Sequence, residues 1–452
     1  MFMHHIQIRN FGPLQKIDLK LNGPKSSMVL IGMQASGKST LAKTIYFCRK
    51  IKDFLVDYLT NIELFESTHR NERYLMFLKT VRKSFMGYFG TTKHMSPFTI
   101  SFTYDAPIGS RKVSINLGYD TYARIVFSPQ LRSDIESLIN DVSDIYSDNH
   151  IPDISQSNDL STLLKLKMKI IEIIQQHVST NIKLFFKDEY EAVYIPAGRS
   201  LLASLSEQLV DINESQMDMA MQDFIRLIKN TKFRFGSRLP DIVKTYVKTI
   251  KGQINNVAIE NAEKLIKSIL KADYRNESDG EKLYYDEDHW TKLMYGSSGQ
   301  QEALWILLLI FTIILDNQKV FMVIEEPEAH LFPDTQKQIV ELMSLMVNSS
   351  QSEVFVTTHS PYILTSYNLL LQSAKVENNS KNKSNDVIVP RQMRIERNDF
   401  SAFIIRPIGS GTMETLIDEQ TGLINASEID IISGIINKDA ERLIDLEIQY
   451  DM

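Results

Sequence analysis

The sequence predicts an α/β fold in which a parallel β core, built around a glycine-rich loop, is interrupted by a helical insertion. Three observations carry this. A short apolar strand, Met28 to Ile31, runs into Gly32-Met33-Gln34-Ala35-Ser36-Gly37-Lys38-Ser39 and then into a helical pattern. Two more apolar strands stand in the last third and end in ionisable residues, Glu325-Glu326 and His359. Between these α/β ends, apolar residues recur at three- and four-residue spacing, as on one face of a helix. Residues 1–150 and 291–452 read as the two halves of the α/β unit, the first carrying the glycine-rich loop and a helical insertion, with 151–290 a mainly helical lobe.

The elements follow in order. His5 to Ile8 and Lys16 to Leu21 alternate apolar and polar residues, which suits half-buried strands, and Gly12-Pro13 breaks them apart. Met28 to Ile31 is continuously apolar, as a strand covered on both faces should be. Ser39 to about Gly87 is helical, and strand signals return at Phe98 to Phe102 and Val113 to Leu117. The polar stretch Ser143 to Ser161 reads as a connection between lobes. Helical blocks follow at Leu160 to Phe186 and about Ser215 to Lys271, separated by strand-like Ala192 to Ile195. Ala374 to Pro390, rich in Asn, Ser and Lys, reads as an exposed mobile loop. Strand Phe403 to Ile405 and an amphipathic helix near Glu428 to Leu446 close the chain.

Composition sets bounds. The net charge is −6, from 50 Lys+Arg against 56 Asp+Glu. A dedicated nucleic-acid binder shows a basic excess, because phosphate neutralisation supplies most of its non-specific affinity. The balance therefore argues against DNA as the main ligand and leaves a local basic groove open. One cysteine, Cys48, excludes a disulfide framework and a cysteine zinc cluster, and is expected as a buried thiol in a reducing cytoplasm. The opening MFMHHIQIRN has no charged segment followed by an apolar one, and no apolar run reaches the ~18 residues of a membrane span. A cytoplasmic protein without a membrane partner is expected, with Leu304 to Leu315 a buried helix.

The glycine-rich loop fits G-x-x-x-x-G-K-[ST] without deviation. Its glycines let the backbone wrap a phosphate with successive N–H groups inward. Gly32, Gln34, Ala35, Ser36, Gly37, Lys38, Ser39 and Thr40 are the candidate nucleotide contacts, with Lys38 charged towards the β- and γ-phosphates and Ser39 on Mg²⁺. Val320 to Ile324 followed by Glu325 and Glu326 supplies a first acid for Mg²⁺ and a second to orient or deprotonate water. In such enzymes the acidic strand is expected beside the phosphate loop. Glu325 stands where Asp is commoner. Val354 to Thr358 leads to His359, placed to sense a γ-phosphate. His330 is open to either a structural or a functional role.

Ser297-Ser298-Gly299-Gln300 precedes the long apolar helix and is similar to the S-G-G-Q core of the ABC signature, with Ser298 at the first glycine. In isolation the same residues make a helix N-cap. With Glu325-Glu326-Pro327-Glu328-Ala329-His330-Leu331-Phe332-Pro333, Thr357-Thr358-His359-Ser360-Pro361 and Ile8-Arg9-Asn10-Phe11-Gly12-Pro13-Leu14, the chain resembles ABC-type ATPases of the OLD, RecF, Rad50 and SMC group. The resemblance covers about residues 1–130 and 290–452. It implies an ABC-type ATPase head, a phosphate-loop parallel core plus an antiparallel β lobe with an inserted helical domain. It further implies ATP with Mg²⁺, Glu326, His359 and Lys38 as catalytic residues, and dimers in which Ser297 to Gln300 meet the nucleotide of a partner copy. Gln130 is a candidate glutamine loop and Phe11 a candidate for adenine stacking.

Tyr194-Ile195-Pro196-Ala197-Gly198-Arg199 resembles a segment of compact OLD-like bacterial ATPases, among them the AriA-type ATPases of PARIS anti-phage systems. That resemblance implies a scaffold and sensor holding a Toprim-type nuclease until a phage-encoded trigger protein arrives. The alternative within the group is a DNA-repair or chromosome-structure ATPase that binds DNA in an ATP-dependent way. A transporter subunit is disfavoured by the Glu-Glu-Pro-Glu-Ala-His run. A chain that is itself the nuclease would need an Asp-x-Asp pair downstream, and Asp286-Glu287-Asp288 lies upstream.

Overall fold

The computed structural model describes residues 4–21, 23–105, 108–119, 122–148, 160–204, 217–249, 255–379, 388–406, 412–425, 438 and 440–443. The N-terminal part runs β1 (His4–Phe11), β2 (Leu14–Leu21), β3 (Ser26–Gly32), α1 (Lys38–Thr60), α2 (Ile62–Glu66), α3 (Arg73–Phe89), β4 (Phe98–Thr103), β5 (Lys112–Leu117), β6 (Arg124–Phe127) and α4 (Pro129–Asp148). The middle holds α5 (Leu160–Phe186), β7 (Glu191–Ile195), α6 (Ser200–Ser204), α7 (Met219–Lys232), α8 (Leu239–Thr249) and α9 (Asn256–Leu270), then a small sheet of β8 (Asp273–Glu277), β9 (Gly280–Tyr284) and β10 (Trp290–Lys292). The last part runs α10 (Ser298–Asp316), β11 (Val320–Glu325), α11 (Pro333–Ser350), β12 (Glu353–Thr358), α12 (Pro361–Asn379), β13 (Phe400–Ile405) and β14 (Met413–Thr415).

Two sheets organise these elements. A six-stranded sheet has the order β14-β13-β3-β12-β11-β7, parallel except for the edge strand β14. An antiparallel sheet of order β2-β1-β4-β5-β6 forms the second lobe. The expected α/β class, parallel core and antiparallel lobe, is thus the fold observed.

Residues along the parallel strands alternate between two cores, because successive side chains leave opposite faces of a sheet. Val29 and Ile31 of β3, Met322 and Ile324 of β11 and Val356 of β12 join one core with α7, α9, α10, α11 and α12. Met28, Leu30, Phe321, Val323 and Phe355 join the other, with α1, α3, α4, α5 and the antiparallel lobe. Burial on both faces explains why these strands read as unbroken apolar runs. Helix α10 meets all the length and composition requirements of a membrane span, yet it is 78% buried inside the protein, between α9 and α11 among its neighbours. Cys48 is buried in α1, and burial raises its thiol far above the usual range.

Several expectations give way. Strand β7 does more than separate helical blocks; it completes the parallel sheet beside β11. The expected loop from Ala374 is helical to Asn379, since Leu370, Leu371 and Ala374 stay buried; 380–387 lie outside the described residues. Helix α4 likewise persists through Val142 and Tyr146, which are buried, to Asp148. The block from Ser215 resolves into α7, α8 and α9. Of the closing helix, residues 438 and 440–443 are helical and the rest lies outside the described residues.

A buried ionic cluster ties α1 to the floor of the sheet. The Arg49 guanidinium pairs with Asp188 at 2.8 Å and with Glu353 at the start of β12, and Lys52 lies 3.0 Å from Asp188. His4, also fully buried, donates from Nδ1 to the Tyr104 carbonyl at 3.0 Å, while its Nε2 has no partner. Burial and then the Arg49 charge push this imidazole down to about 4. The folded state thus keeps His4 neutral at pH values where the unfolded chain, near 6.5, takes up a proton. Its effect on stability is present above pH 6.5 and is lost as pH falls towards 4. Wild type should therefore lose roughly 3 kcal/mol more than His4→Phe between pH 7 and 4, from urea unfolding at each pH. A difference between the two proteins that stays constant with pH would show that His4 titrates normally.

Candidate nucleotide site

Because β3, β12, β11 and β7 are parallel, their carboxyl ends share one edge of the sheet, where open α/β folds place ligands. The loop after β3 is shaped by close approaches. A Cβ on Gly32 would stand 2.7 Å from the Ile405 carbonyl oxygen, and one on Gly37, at φ +102°, would strike Leu14 at 2.5 Å. Ala35 also sits at positive φ, 61°. Gly37 caps α1 without a side-chain hydrogen bond, and no acidic residue occupies the first turn. The first N–H groups of this long helix are thus free for an anion.

Lys38, only 6% exposed, folds back and donates to the carbonyls of Gly32 at 2.8 Å and Met33 at 3.0 Å. Burial lowers its pKa, against the pull of Glu326, Glu328 and Glu325. Ser36 is buried and its hydroxyl has no partner. Gln34 and Ser39 are exposed and Thr40 half-buried.

Strand β12, not β11, lies next to β3; the acidic strand is one place further out than expected. His359 at the end of β12 therefore stands between the loop and the carboxylates. Its Nε2 is 3.7 Å from Glu326 Oε1, both side chains being about two-fifths exposed. Burial, then the Lys38 ammonium, lowers the imidazole pKa.

Glu325 is buried. Its Oε2 accepts from the Ala197 amide at 3.3 Å, its Oε1 makes no hydrogen bond of good geometry, and the buried Tyr194 phenol lies close to the carboxylate. A carboxylate oxygen without a well-formed hydrogen bond fits Mg²⁺, which takes one or two protein ligands and fills the rest with water and phosphate. Correspondingly, the described residues hold no group of three or more His, Cys, Asp or Glu able to cage a metal. The acidic triplet Asp286 to Asp288 forms a turn instead, with Asp286 accepting from the amides of Asp288 and His289.

Ser297 caps α10 and shares a capping box with Gln300, whose Nε2 also donates to the Leu270 carbonyl at 2.7 Å. Ser297 and Ser298 are exposed, so the cap and an outward-facing anion site coexist. Gly299 presses on the loop after β11: a Cβ there would be 2.8 Å from the His330 carbonyl oxygen. Among the described residues, no hydrogen bond or ion pair joins Ser297 to Gln300 with the Lys38 loop.

A family model described as an AAA ATPase domain matches residues 1–364. The chain belongs to that family. No curated protein matches it. The solved structures it is similar to include an SmcHead bound to the C-winged helix domain of ScpA, at 9% identity, 92% of this chain, 97% of that one and a TM-score of 0.39. They also include the SMC head domain from Thermotoga maritima, at 9% identity, 92% and 98% coverage and a TM-score of 0.35. A Smc head domain with an extended coiled coil, bound to the C-terminal domain of ScpA derived from Pyrococcus furiosus, gives 11%, 95% and 98% and 0.32. At such TM-scores these are loose likenesses.

One sequence expectation for this ATPase domain falls away. Phe11 is 1% exposed, wedged among Phe85, Phe89 and Phe98, and cannot stack on adenine. Gln130 lies in the first turn of α4 and donates to Asp134. Sequence reasoning gave no role to three residues the structure makes prominent. Glu328 Oε1 accepts from Thr358 Oγ1 and the His359 amide, both at 2.7 Å, and so fixes the end of β12. Arg199 is fully buried and bonds the Glu325 and Glu326 carbonyls, and Glu302 is its ion-pair partner at 3.3 Å. The available signal was a lone acid, Glu302, at the head of an apolar helix; its arginine partner lies 103 positions earlier in the chain.

Gly299→Ala should cost about 1–3 kcal/mol by overpacking against the His330 backbone. Urea unfolding measures this, and an unchanged midpoint would mean that the loop yields freely.

Proposed function

We propose that the chain is an ATPase that closes ATP between two copies of itself, and that it serves as scaffold and sensor of an anti-phage defence system. The observation that carries the first part is the split of the site. Lys38, Glu325, Glu326 and His359 gather at one sheet edge, while Ser297 and Ser298 are exposed and, among the described residues, share no hydrogen bond or ion pair with the Lys38 loop of the same chain. A helix terminus exposed in this way suits the γ-phosphate of a partner copy. Exposed Met33, Tyr295 and Phe332 offer apolar area near both halves.

On this reading Lys38 leaves its two carbonyls for the β- and γ-phosphates, and the α1 amides hold the phosphate oxygens. Ser39 and Glu325 would hold Mg²⁺, which neutralises charge on the transferred group. Glu326 accepts the proton of the attacking water as its oxygen bonds to phosphorus and the bond to ADP breaks. His359, kept neutral by its lowered pKa, can donate one hydrogen bond to the γ-phosphate and so register its presence. Glu326→Gln should abolish turnover and accumulate ATP-bound dimers in size-exclusion chromatography; hydrolysis at the wild-type rate would remove Glu326 from this role.

The defence reading rests on the likeness of Tyr194 to Arg199 to AriA-type ATPases of PARIS systems. It supposes a cytoplasmic complex with a Toprim-type nuclease, released on meeting a phage-encoded protein. A second reading, a DNA-repair or chromosome-structure ATPase, is favoured by one observation. The open face of the antiparallel lobe carries Arg9, Lys16, Lys20, Lys112 and Arg124 around Asp18, on a chain that is acidic overall. Purification of the tagged chain from its native operon, followed by native mass spectrometry, should recover a neighbouring nuclease at fixed stoichiometry. A chain that emerges alone and binds DNA only with ATP, with affinity falling steeply in salt, would favour the second reading.

A further inference from the structure

Glu326 has a backbone that its own chemistry disfavours. It lies at φ +45°, where a residue with a Cβ is strained, and Pro327 follows it. Such a conformation persists only where the surroundings over-determine it. Here both of its peptide groups are held. The Glu326 amide donates to the Thr357 carbonyl at 2.9 Å, and its own carbonyl accepts from Arg199 Nη2 at 3.0 Å. The same guanidinium donates from Nη1 to the carbonyls of Glu325 and Pro196, both at 2.6 Å, and from Nε to the carbonyl of Glu302 at 3.2 Å. The Glu302 carboxylate lies 3.3 Å from that Nε through Oε2 and accepts the Ser200 amide at 3.1 Å through Oε1.

We propose that Arg199 is a positioning residue for Glu326, and that Glu302 ties the first turn of α10 into the same clamp. The inference rests on Glu326 as the residue that takes the proton from water. It adds a route by which the two halves of the site are coupled within one chain. Ser297 to Gln300 and Glu302 share the N-terminal turns of α10, so a shift of those turns onto a partner's phosphate moves the anchor that aims Glu326. Gly299 against the His330 carbonyl gives α10 a second contact with the same loop. A planar guanidinium is required because its fork serves four carbonyls lying in different directions. A lysine ammonium is a point charge with three donors and cannot span them.

The test uses Arg199→Lys and Glu302→Gln in the full chain. Single-turnover ATP cleavage gives the rate, and a fluorescent ATP analogue gives affinity and bound nucleotide per chain. Arg199→Lys should slow cleavage on the order of 10- to 100-fold, as misplacement of a reacting group by about 1 Å does. Affinity should stay within about threefold and nucleotide stoichiometry at the wild-type value, the signature of an interaction expressed in the reaction and not in binding. Glu302→Gln, which keeps its shape and the Ser200 contact, should show a smaller loss of the same kind. The double variant should be no slower than Arg199→Lys alone, because the two act as one unit.

A rate within about twofold of wild type, or one that falls only as bound nucleotide falls, would overturn the proposal. Where Arg199→Lys does not fold, Glu302→Gln carries the test by the same criteria. Turnover in Glu326→Gln would instead strike the underlying assignment. Loss of turnover there with a wild-type rate in Arg199→Lys would strike the clamp alone.

Discussion

A parallel sheet buried on both faces has only its strand ends to offer to a ligand, and that constraint shapes this protein. Each of β3, β12, β11 and β7 shares its side chains between two cores, so none can tilt or slip without disturbing both. The residues around the Lys38 loop are accordingly found at or just beyond a strand terminus, whereas Ser297 to Gln300 and Glu302 sit at the start of α10. The glycine-rich loop follows β3, the acidic pair closes β11, His359 follows β12, and the Arg199 segment follows β7. The strands act as rigid mounts, and the short loops between strand and helix set the directions of the groups they carry.

The fold and the site were unequally legible in the sequence. Continuous apolar runs marked β3, β11 and β12 because two-sided burial leaves no room for polar alternation. The phosphate loop was equally plain, since its glycines answer to steric limits that any sequence must respect: Gly32 against Ile405, Gly37 against Leu14. Strand order was not legible. Periodicity says nothing about neighbours, and so β12 and β7 took places that the linear reading did not give them.

What was least legible were buried polar groups whose partners are distant in the chain. Arg199 and Glu302 are 103 positions apart, and a buried guanidinium bonded to backbone carbonyls leaves no pattern in its partners' identities. Phe11 failed in the opposite sense. An aromatic beside a phosphate loop resembles a base-stacking platform, but the strand pairing β1–β2 turns it into the aromatic core of the lobe. Ser297 shows that a structural and a functional reading need not compete. Its hydroxyl closes a capping box while the exposed end of α10 remains open to an anion.

The posture of Lys38 has a consequence for how the loop meets a ligand. With its ammonium seated on Gly32 and Met33, the loop is self-plugged: the charge that would attract an anion is already answered by two carbonyl dipoles. A ligand that draws Lys38 onto itself must therefore replace both carbonyl contacts of the ammonium, so the loop holds its lysine in a defined place and need not recruit it from solvent.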